Sequence, residues 1–254
     1  MNRILAFSNR NIKEILRDPL SYIFCLAFPL VMLIVMTIVN DSIPEEAGMT
    51  IFRIDNLAGG IAVFGLTFVM LFTCLSVSKD RSGAFLTRLY ATPMTSGSFI
   101  LGYICPVLVL SLAQLVITFA AGFVVSIITE VELNIAGLLL ACAALIPSAV
   151  LMAGFGLLFG SLFNEKAAPG LCSIVISLSA FLGGIWFDAE SAGGVMLKIC
   201  NILPFFHAVK CARQACVMEF EDFWLHFGIT ALYAAVVTAA AALVFKGKMK
   251  ADLS

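Results

Sequence analysis

The chain has 254 residues and a formal net charge of −1, and 61% of its residues are hydrophobic while only 12% are charged. Soluble domains carry about a quarter charged residues, so this composition, with a mean hydropathy of +1.06, excludes a soluble domain. The near-neutral charge also excludes a basic surface for nucleic acid. Because the long apolar runs do not alternate with polar residues, they are typical of spanning helices and not of barrel strands. The sequence predicts an all-α integral membrane protein with a single transmembrane domain over residues 1–254.

Residues 1–19 predict an amphipathic helix that lies in the membrane interface. Apolar side chains recur at spacings of three and four along MNRILAFSNRNIKEILRDP, and Arg10, Lys13 and Arg17 fall mostly between them. This pattern produces one apolar and one charged face, as in helices at the headgroup level. Pro19 marks the turn into the bilayer. A simple membrane anchor is the alternative interpretation.

Six apolar runs are long enough to cross about 30 Å of hydrocarbon, which takes roughly 20 helical residues. They cover residues 21–39, 57–77, 99–128, 135–163, 167–187 and 223–245. The third and fourth runs exceed the required length. We therefore expect tilt or kinks there, with Pro106 and Pro147 as candidate kink points.

A charged segment, KDRSGAFLTRLYATPMTSGSF, separates the second and third runs. Its apolar side chains fall at spacings of one, three and four: Phe85, Leu86, Leu89 and Tyr90. Such spacing predicts a short amphipathic helix over residues 79–93, which Gly83 can begin and Pro93 ends. A helix held between two rigid spans would pass an applied force to both of them. A surface helix that merely caps the bundle fits the same periodicity equally well.

Residues 193–220 carry two apolar stretches of about ten residues, too short to span a membrane, on either side of Pro204. We predict two short re-entrant helices in the outer leaflet. Re-entrant backbone is tolerated only where protein or a water-filled cavity covers it, so this region is expected to line a path or cavity.

The distribution of Lys and Arg predicts the orientation. Four of the 15 basic residues lie in the connections on one side: Arg53, Lys198, Lys210 and Arg213. The other eleven lie in the N-terminal segment, the tail and the connections after the second and fourth runs. Because basic residues accumulate on the cytoplasmic side, both termini are predicted to be cytoplasmic.

Several kinds of chemistry are missing from the sequence. The predicted spans contain a single Asp, Glu, His, Lys or Arg side chain, that of His226. Ion-coupled transporters need such side chains within the membrane. No GxxxxGK[ST] phosphate loop occurs, and no catalytic set lies in a span, which disfavours an intramembrane enzyme. The eight cysteines include no CxxC pair, and we expect structural roles for all of them. If this protein drives transport, the energy must therefore be supplied from outside this chain.

In their order along the chain, these features resemble the ABC type-2 transporter permease family, the six-span membrane subunits of bacterial ABC exporters. The resemblance covers essentially the full length. It rests on the amphipathic start NRNIKEILRDP, on DRSG and LYATP after the second span, and on Pro204, Phe205, Phe206 and His207 between the fifth and sixth spans.

The resemblance implies roles for these segments. The first helix would be an elbow helix bearing Arg10, Lys13 and Arg17, and residues 79–93 would be a coupling helix that seats in a separate nucleotide-binding ATPase subunit. The residues implied in coupling are Asp80, Arg81, Gly83, Phe85, Leu86, Leu89, Tyr90 and Pro93. The four residues from Pro204 to His207 would form an outer gate.

The resemblance also implies partners. This chain would hold no cofactor, because the partner ATPase would bind ATP and Mg, and a second permease chain, identical or not, would complete the path in the plasma membrane. The apolar, Phe-rich spans suit a hydrophobic or amphipathic substrate, such as a drug-like molecule, a lipid or a glycan conjugate. Candidate contacts on the path are Phe64, Phe68, Met70 and Phe72, which would equally serve plain packing. A scaffold or assembly subunit that transports nothing is the alternative.

Overall fold

The computed structural model describes residues 2–44, 48–83 and 95–251, and within these ranges the chain forms helices and turns without strands. Helix α1, Asn2–Arg17, precedes the bundle. The long helices are α2 (Pro19–Asp41), α3 (Ile54–Ser82), α4 (Ser96–Ile128), α5 (Ile135–Leu162) and α10 (Phe223–Ala251). Four shorter helices lie between the last two: α6 (Ala168–Leu182), α7 (Ala189–Ala192), α8 (Gly194–Ile202) and α9 (Pro204–Val217).

Among the described residues, five helices are long and apolar enough to cross a membrane, and a sixth crossing results if the bent pair α8 and α9 counts as one span. The predicted fifth span, 167–187, extends beyond the helix observed there, since α6 has 15 residues. Helix α6 ends at Leu182, directly before the consecutive glycines Gly183 and Gly184. Gly184 takes a φ of 69°, which only glycine adopts without strain.

Helix α3 is the centre of the bundle. In its most apolar 18-residue window 78% of the residues are buried, against 17% for both α2 and α10. It packs against α2, α4, α5, α6 and α9. A displacement of α3 therefore reaches most of the other helices directly.

Two glycines allow α5 to approach α3 closely. Gly156 and Gly160 lie one turn apart on α5. A Cβ on Gly156 would lie 2.6 Å from the carbonyl oxygen of Met70, and one on Gly160 would lie 2.7 Å from that of Cys74. Small residues four apart are a common basis of helix contacts in membranes, where close van der Waals packing replaces the hydrophobic effect.

Proline has a different effect in each of three long helices. In α2, Ile23–Ala27 widens to π-helical hydrogen bonding, with the Phe28 N–H donating to the Ile23 carbonyl, just before Pro29 removes a backbone donor. Helix α5 is interrupted at Leu145, beside Pro147, where a kink was expected. At Pro106 the helix α4 continues without a break.

The helix ends differ from the predicted ones near the charged segment. Helix α1 ends at Arg17, and α2 begins at Pro19. Residues 79–82, assigned from the sequence to the coupling helix, form the last turn of α3, which ends at Gly83. They stay helical because no helix-breaking residue precedes Gly83 and their charged side chains find partners. The remainder of the predicted coupling helix, from residue 84 on, lies outside the described residues.

All eight cysteines are free thiols, and six of them are buried. Cys200 of α8 and Cys211 and Cys216 of α9 form no disulfide. Their burial within the bundle is consistent with the structural role expected for them.

Candidate functional site

A polar and aromatic cluster joins α1 to the ends of α3 and α4 that flank the predicted coupling segment. We call it the elbow junction, and it consists of Phe7, Arg10, Asn11, Asp80, Gly102 and Tyr103. Asp80 lies in the last turn of α3 with its side chain 4% exposed. The Arg10 guanidinium donates to both of its oxygens, at 2.6 and 2.8 Å, and the Tyr103 hydroxyl donates at 2.8 Å. Three helices therefore meet on one buried carboxylate.

The charges of the elbow junction support each other. Burial by itself lowers the pKa of Arg10, but the hydrogen bonds and negative charge of Asp80 outweigh it, so the pKa is raised. Glu14 pairs with Arg10 at 2.8 Å and with Lys79 at 3.1 Å. A buried carboxylate that lost these donors would be strongly unfavourable. The Asp80 pairing therefore holds α1 against the end of α3.

A second contact depends on Pro106, which has no backbone N–H. In a regular helix that N–H would bond the carbonyl of Gly102, four residues earlier. Here the Asn11 side chain donates to the Gly102 carbonyl at 2.9 Å, while its own oxygen accepts from Arg10 at 2.7 Å. A Cβ on Gly102 would also lie 2.2 Å from the Phe7 ring. Helix α1 thus packs on α4 where Gly102 has no side chain and its carbonyl has no hydrogen bond within the helix.

We expect Asn11→Ala to lower the free energy of unfolding by about 1–3 kcal/mol, because it leaves the buried Gly102 carbonyl unsatisfied. Adding Pro106→Ala supplies a backbone N–H for that carbonyl, so the double variant should recover much of the loss. Thermal unfolding of the four proteins of this cycle in detergent measures the effect. Additive losses would contradict the proposed link between Asn11 and Pro106.

The other predicted elbow and coupling residues are distributed as follows. Lys13 and Arg17 are exposed on α1. Arg81 donates to the Gly160 carbonyl of α5 at 3.2 Å, and Gly83 ends α3. Phe85, Leu86, Leu89, Tyr90 and Pro93 lie outside the described residues. The described chain therefore stops at Gly83, within the predicted coupling segment, and resumes at Thr95, which caps α4.

At the other end of the bundle, the predicted gate residues form the first turn of α9 and are all buried: Pro204, Phe205, Phe206 and His207. Helices α8 and α9 meet there at an angle of 89°. Phe205 packs near Phe155 of α5, with ring centroids 6.4 Å apart. Two short helices therefore lie on either side of the Leu203–Pro204 junction, as the sequence predicted.

The two histidines of the chain contact each other beside this turn. Their Nδ1 atoms are 2.7 Å apart, and His207 Nε2 lies 2.9 Å from the Asn201 carbonyl. Because a carbonyl oxygen only accepts hydrogen bonds, His207 Nε2 carries the proton and donates to it. In neutral His207, Nδ1 then has no proton and accepts a hydrogen bond from His226 Nδ1–H. The pair links α9 to α10. His226, the one Asp, Glu, His, Lys or Arg side chain within the predicted spans, therefore has a specific partner.

Arg213 was read from the sequence only as a charge that reports topology. In the structure its Nε donates to the Asn56 carbonyl at 3.0 Å, and an Nη donates to the Gly184 carbonyl at 3.0 Å. It thereby joins α9 to the start of α3 and to the turn after α6. The available signal was its position among small residues in KCARQAC, which favours close packing around it.

The four candidate path residues divide into two groups. Phe64, Phe68 and Phe72 share one face of α3 and contact the rings of Phe24 and Phe28 on α2. Met70 is fully buried, and its backbone faces Gly156 of α5. The structure does not bring Met70 onto the aromatic face.

Within residues 2–44, 48–83 and 95–251, no group of three His, Cys, Asp or Glu side chains could hold a metal ion. The apolar helices, the buried Asp80 pairing at one end and the bent helices at the other define a multi-pass α-helical membrane protein. A family model described as "ABC-2 type transporter" matches residues 2–217, and the chain belongs to this family. It is also similar to "Putative transport permease YvfS" of Bacillus subtilis (strain 168), at 21% identity over 216 residues and 82% of each chain. The protein is a membrane permease of an ABC transporter.

Proposed function

We propose that this permease is the membrane subunit of an exporter, with both termini in the cytoplasm of a bacterium. It would move a hydrophobic or amphipathic molecule, such as a drug-like compound, a lipid or a glycan conjugate, across the plasma membrane. A separate ATPase subunit binds ATP and Mg and supplies the energy. A second permease chain, identical or different, completes the path.

The observation that carries this proposal is the buried Asp80 pairing at the base of the predicted coupling segment. Asp80 lies at the start of that segment and Tyr103 lies beyond its end, and Asp80 accepts hydrogen bonds from both Arg10 and Tyr103. A force on the segment would therefore reach α1, α3 and α4 at once. A helix that only covered the bundle would not require a buried ion pair between α1 and the end of α3 where the segment begins.

The position of α3 supports the transmission of movement across the membrane. Its 29 residues extend about 43 Å at 1.5 Å per residue. Asp80 ties one end of it to the elbow helix, and the Asn56 carbonyl ties the other end to Arg213 of α9. ATP-driven closure of the ATPase subunits would displace the coupling segments, and α3 would transmit that displacement to the outer helices.

The aromatic face of α3 supports an apolar path. Phe64 also lies 5.3 Å from Trp186, between ring centroids, so aromatic rings extend from α2 to the turn after α6. Phe72 is partly exposed and is therefore the best placed of the four predicted path residues to contact a substrate.

Replacing Phe85 and Leu89 with Asp should abolish coupling while the chain remains inserted. The apolar edge predicted for this segment would seat in a groove of the ATPase, and two carboxylates would prevent that contact. Co-purification with the partner ATPase, and the rate at which that ATPase hydrolyses ATP with and without the permease, measure the effect. We expect at least a tenfold loss of stimulated hydrolysis, equivalent to about 1.4 kcal/mol.

Met49→Asp is the matched control, since Met49 is an exposed residue of the connection between α2 and α3. It should leave both measurements unchanged. A scaffold without transport would assemble with its partners and show no ATPase stimulation even in the unmodified protein, and that result would refute the exporter proposal.

A further inference from the structure

A shallow basic pocket of about 680 Å³ lies beside α1, where the chain turns into the apolar helix α2. Its charged lining consists of Arg10, Lys13, Arg17, Lys79, Glu14 and Asp18. The cations outnumber the carboxylates by two.

Both carboxylates of this pocket are already engaged. Glu14 pairs with Arg10 and Lys79. Asp18 caps the start of α2, accepting from the Leu20 N–H at 3.1 Å and the Ser21 hydroxyl at 2.8 Å. Glu14 is therefore committed to two cations, and among the described residues Asp18 forms no ion pair with the cations of the pocket.

Lys13 and Arg17 supply the excess charge. They lie one helical turn apart on α1, are exposed, and line the same pocket. Among the described residues neither forms an ion pair with a carboxylate, whereas Arg10 and Lys79 do. The lining of the pocket therefore carries a net positive charge, and two of its basic side chains have no ion-pair partner among the described residues.

Exposed apolar side chains follow the pocket in the sequence, on the first turns of α2. Leu20 is 56% exposed, Ile23 is 51% exposed and Phe24 is 37% exposed. The pocket is therefore at the level where headgroups meet hydrocarbon, because α2 is a candidate span that begins at Pro19. A free phosphate would use only the basic pocket, whereas a phospholipid would use both the pocket and these apolar side chains.

We propose that this pocket binds the phosphate group of an anionic phospholipid, with Lys13 and Arg17 as its counter-charges and the acyl chains along the start of α2. This site goes beyond the proposed export function and does not depend on it. Because Arg10 and Lys79 line the same pocket, a bound lipid would brace the elbow helix against the bundle.

Native mass spectrometry of the purified full chain in detergent tests the proposal. The probes are phosphatidylglycerol, phosphatidylcholine and inorganic phosphate, added separately and in competition. For Lys13→Gln with Arg17→Gln, we expect the affinity for phosphatidylglycerol to fall roughly thirtyfold, as for two charges near an anionic surface. Binding of phosphatidylcholine should change little.

The matched control is Lys246→Gln with Lys248→Gln, which removes two exposed cations near the end of α10, on the same predicted side of the membrane. It should reduce phosphatidylglycerol binding less than threefold. Thermal unfolding should be unchanged in both double variants, since none of the four side chains forms an ion pair among the described residues.

Four results would overturn the proposal. The first is equal binding of phosphatidylglycerol and phosphatidylcholine by the unmodified chain, and the second is an equal loss of phosphatidylglycerol binding in both double variants. The third is displacement of phosphatidylglycerol by inorganic phosphate at similar concentration, which would indicate a free-anion site. The fourth is a Lys13 and Arg17 variant that keeps its lipid but no longer retains the ATPase, since the pocket would then be a protein contact.

Discussion

Replacing Asp80 with Ala is expected to uncouple the permease from ATP hydrolysis without preventing its insertion. The change removes the acceptor of the Arg10 guanidinium and of the Tyr103 hydroxyl. Removing one partner of a fully buried ion pair costs about 3–5 kcal/mol. Arg10 is 34% exposed and regains some hydration, so we expect a loss of about 2 kcal/mol in the free energy of unfolding.

The effect on function should exceed the effect on folding, because the elbow helix would no longer move with α3. Permease-stimulated ATP hydrolysis in proteoliposomes should fall at least tenfold, and thermal unfolding gives the stability of the same protein. The charge exchange Arg10→Asp with Asp80→Arg should recover part of both losses. Asp41→Ala, at the exposed end of α2, is the control and should behave as the unmodified chain. Full stimulation by Asp80→Ala would show that the elbow junction does not transmit movement.

Gly156→Ala and Gly160→Ala should each destabilise the bundle by about 2–3 kcal/mol, in the range of overpacking in a tight interior. The added methyl groups would meet the Met70 and Cys74 carbonyl oxygens at 2.6 and 2.7 Å. Backbone carbonyls of a central helix cannot rotate away, so α5 would have to separate from α3. The fraction of protein that remains monodisperse on size exclusion after heating in detergent measures this loss.

Gly228→Ala in α10 is the matched control, because a Cβ there meets no atom within 4 Å. It should be neutral or slightly stabilising, since alanine favours helix over glycine by about 1 kcal/mol. Equal behaviour of the three variants would contradict the close contact of α3 with α5.

Local patterns in the sequence predicted much of the architecture. Apolar runs located the long helices to within a few residues at α4 and α5, and the spacing of apolar residues identified α1. Of the two candidate kink points, Pro147 lies beside a break in α5, whereas α4 continues through Pro106. The hydropathy pattern did not identify the end of α6. The run of apolar residues continues past Leu182, whereas the helix ends there at a pair of glycines.

The elbow junction was only partly visible in the sequence. Asp80 and Arg10 were singled out, but as residues facing an ATPase and the interface, not each other. The sequence did not indicate that Asn11 compensates for the N–H missing at Pro106. In the sequence Asn11 is a polar position on an amphipathic helix, and Pro106 is a candidate kink point. Their relationship arises because α1 folds back over α4, and no pattern of neighbouring residues records a contact across that distance.

The hydropathy pattern along the sequence determined that this chain is a membrane protein and located the five helices of the described residues that are long enough to span it, because transfer of a helix into lipid depends on its own side chains and backbone. Only the tertiary structure decided that α3 lies at the centre, that Asp80 and Arg213 tie down its two ends, and that the two histidines meet. All the spans are similarly apolar, so hydropathy cannot distinguish a helix that faces lipid from one that faces protein. That distinction comes from glycine contacts and buried polar pairs, which exist only once the helices have packed.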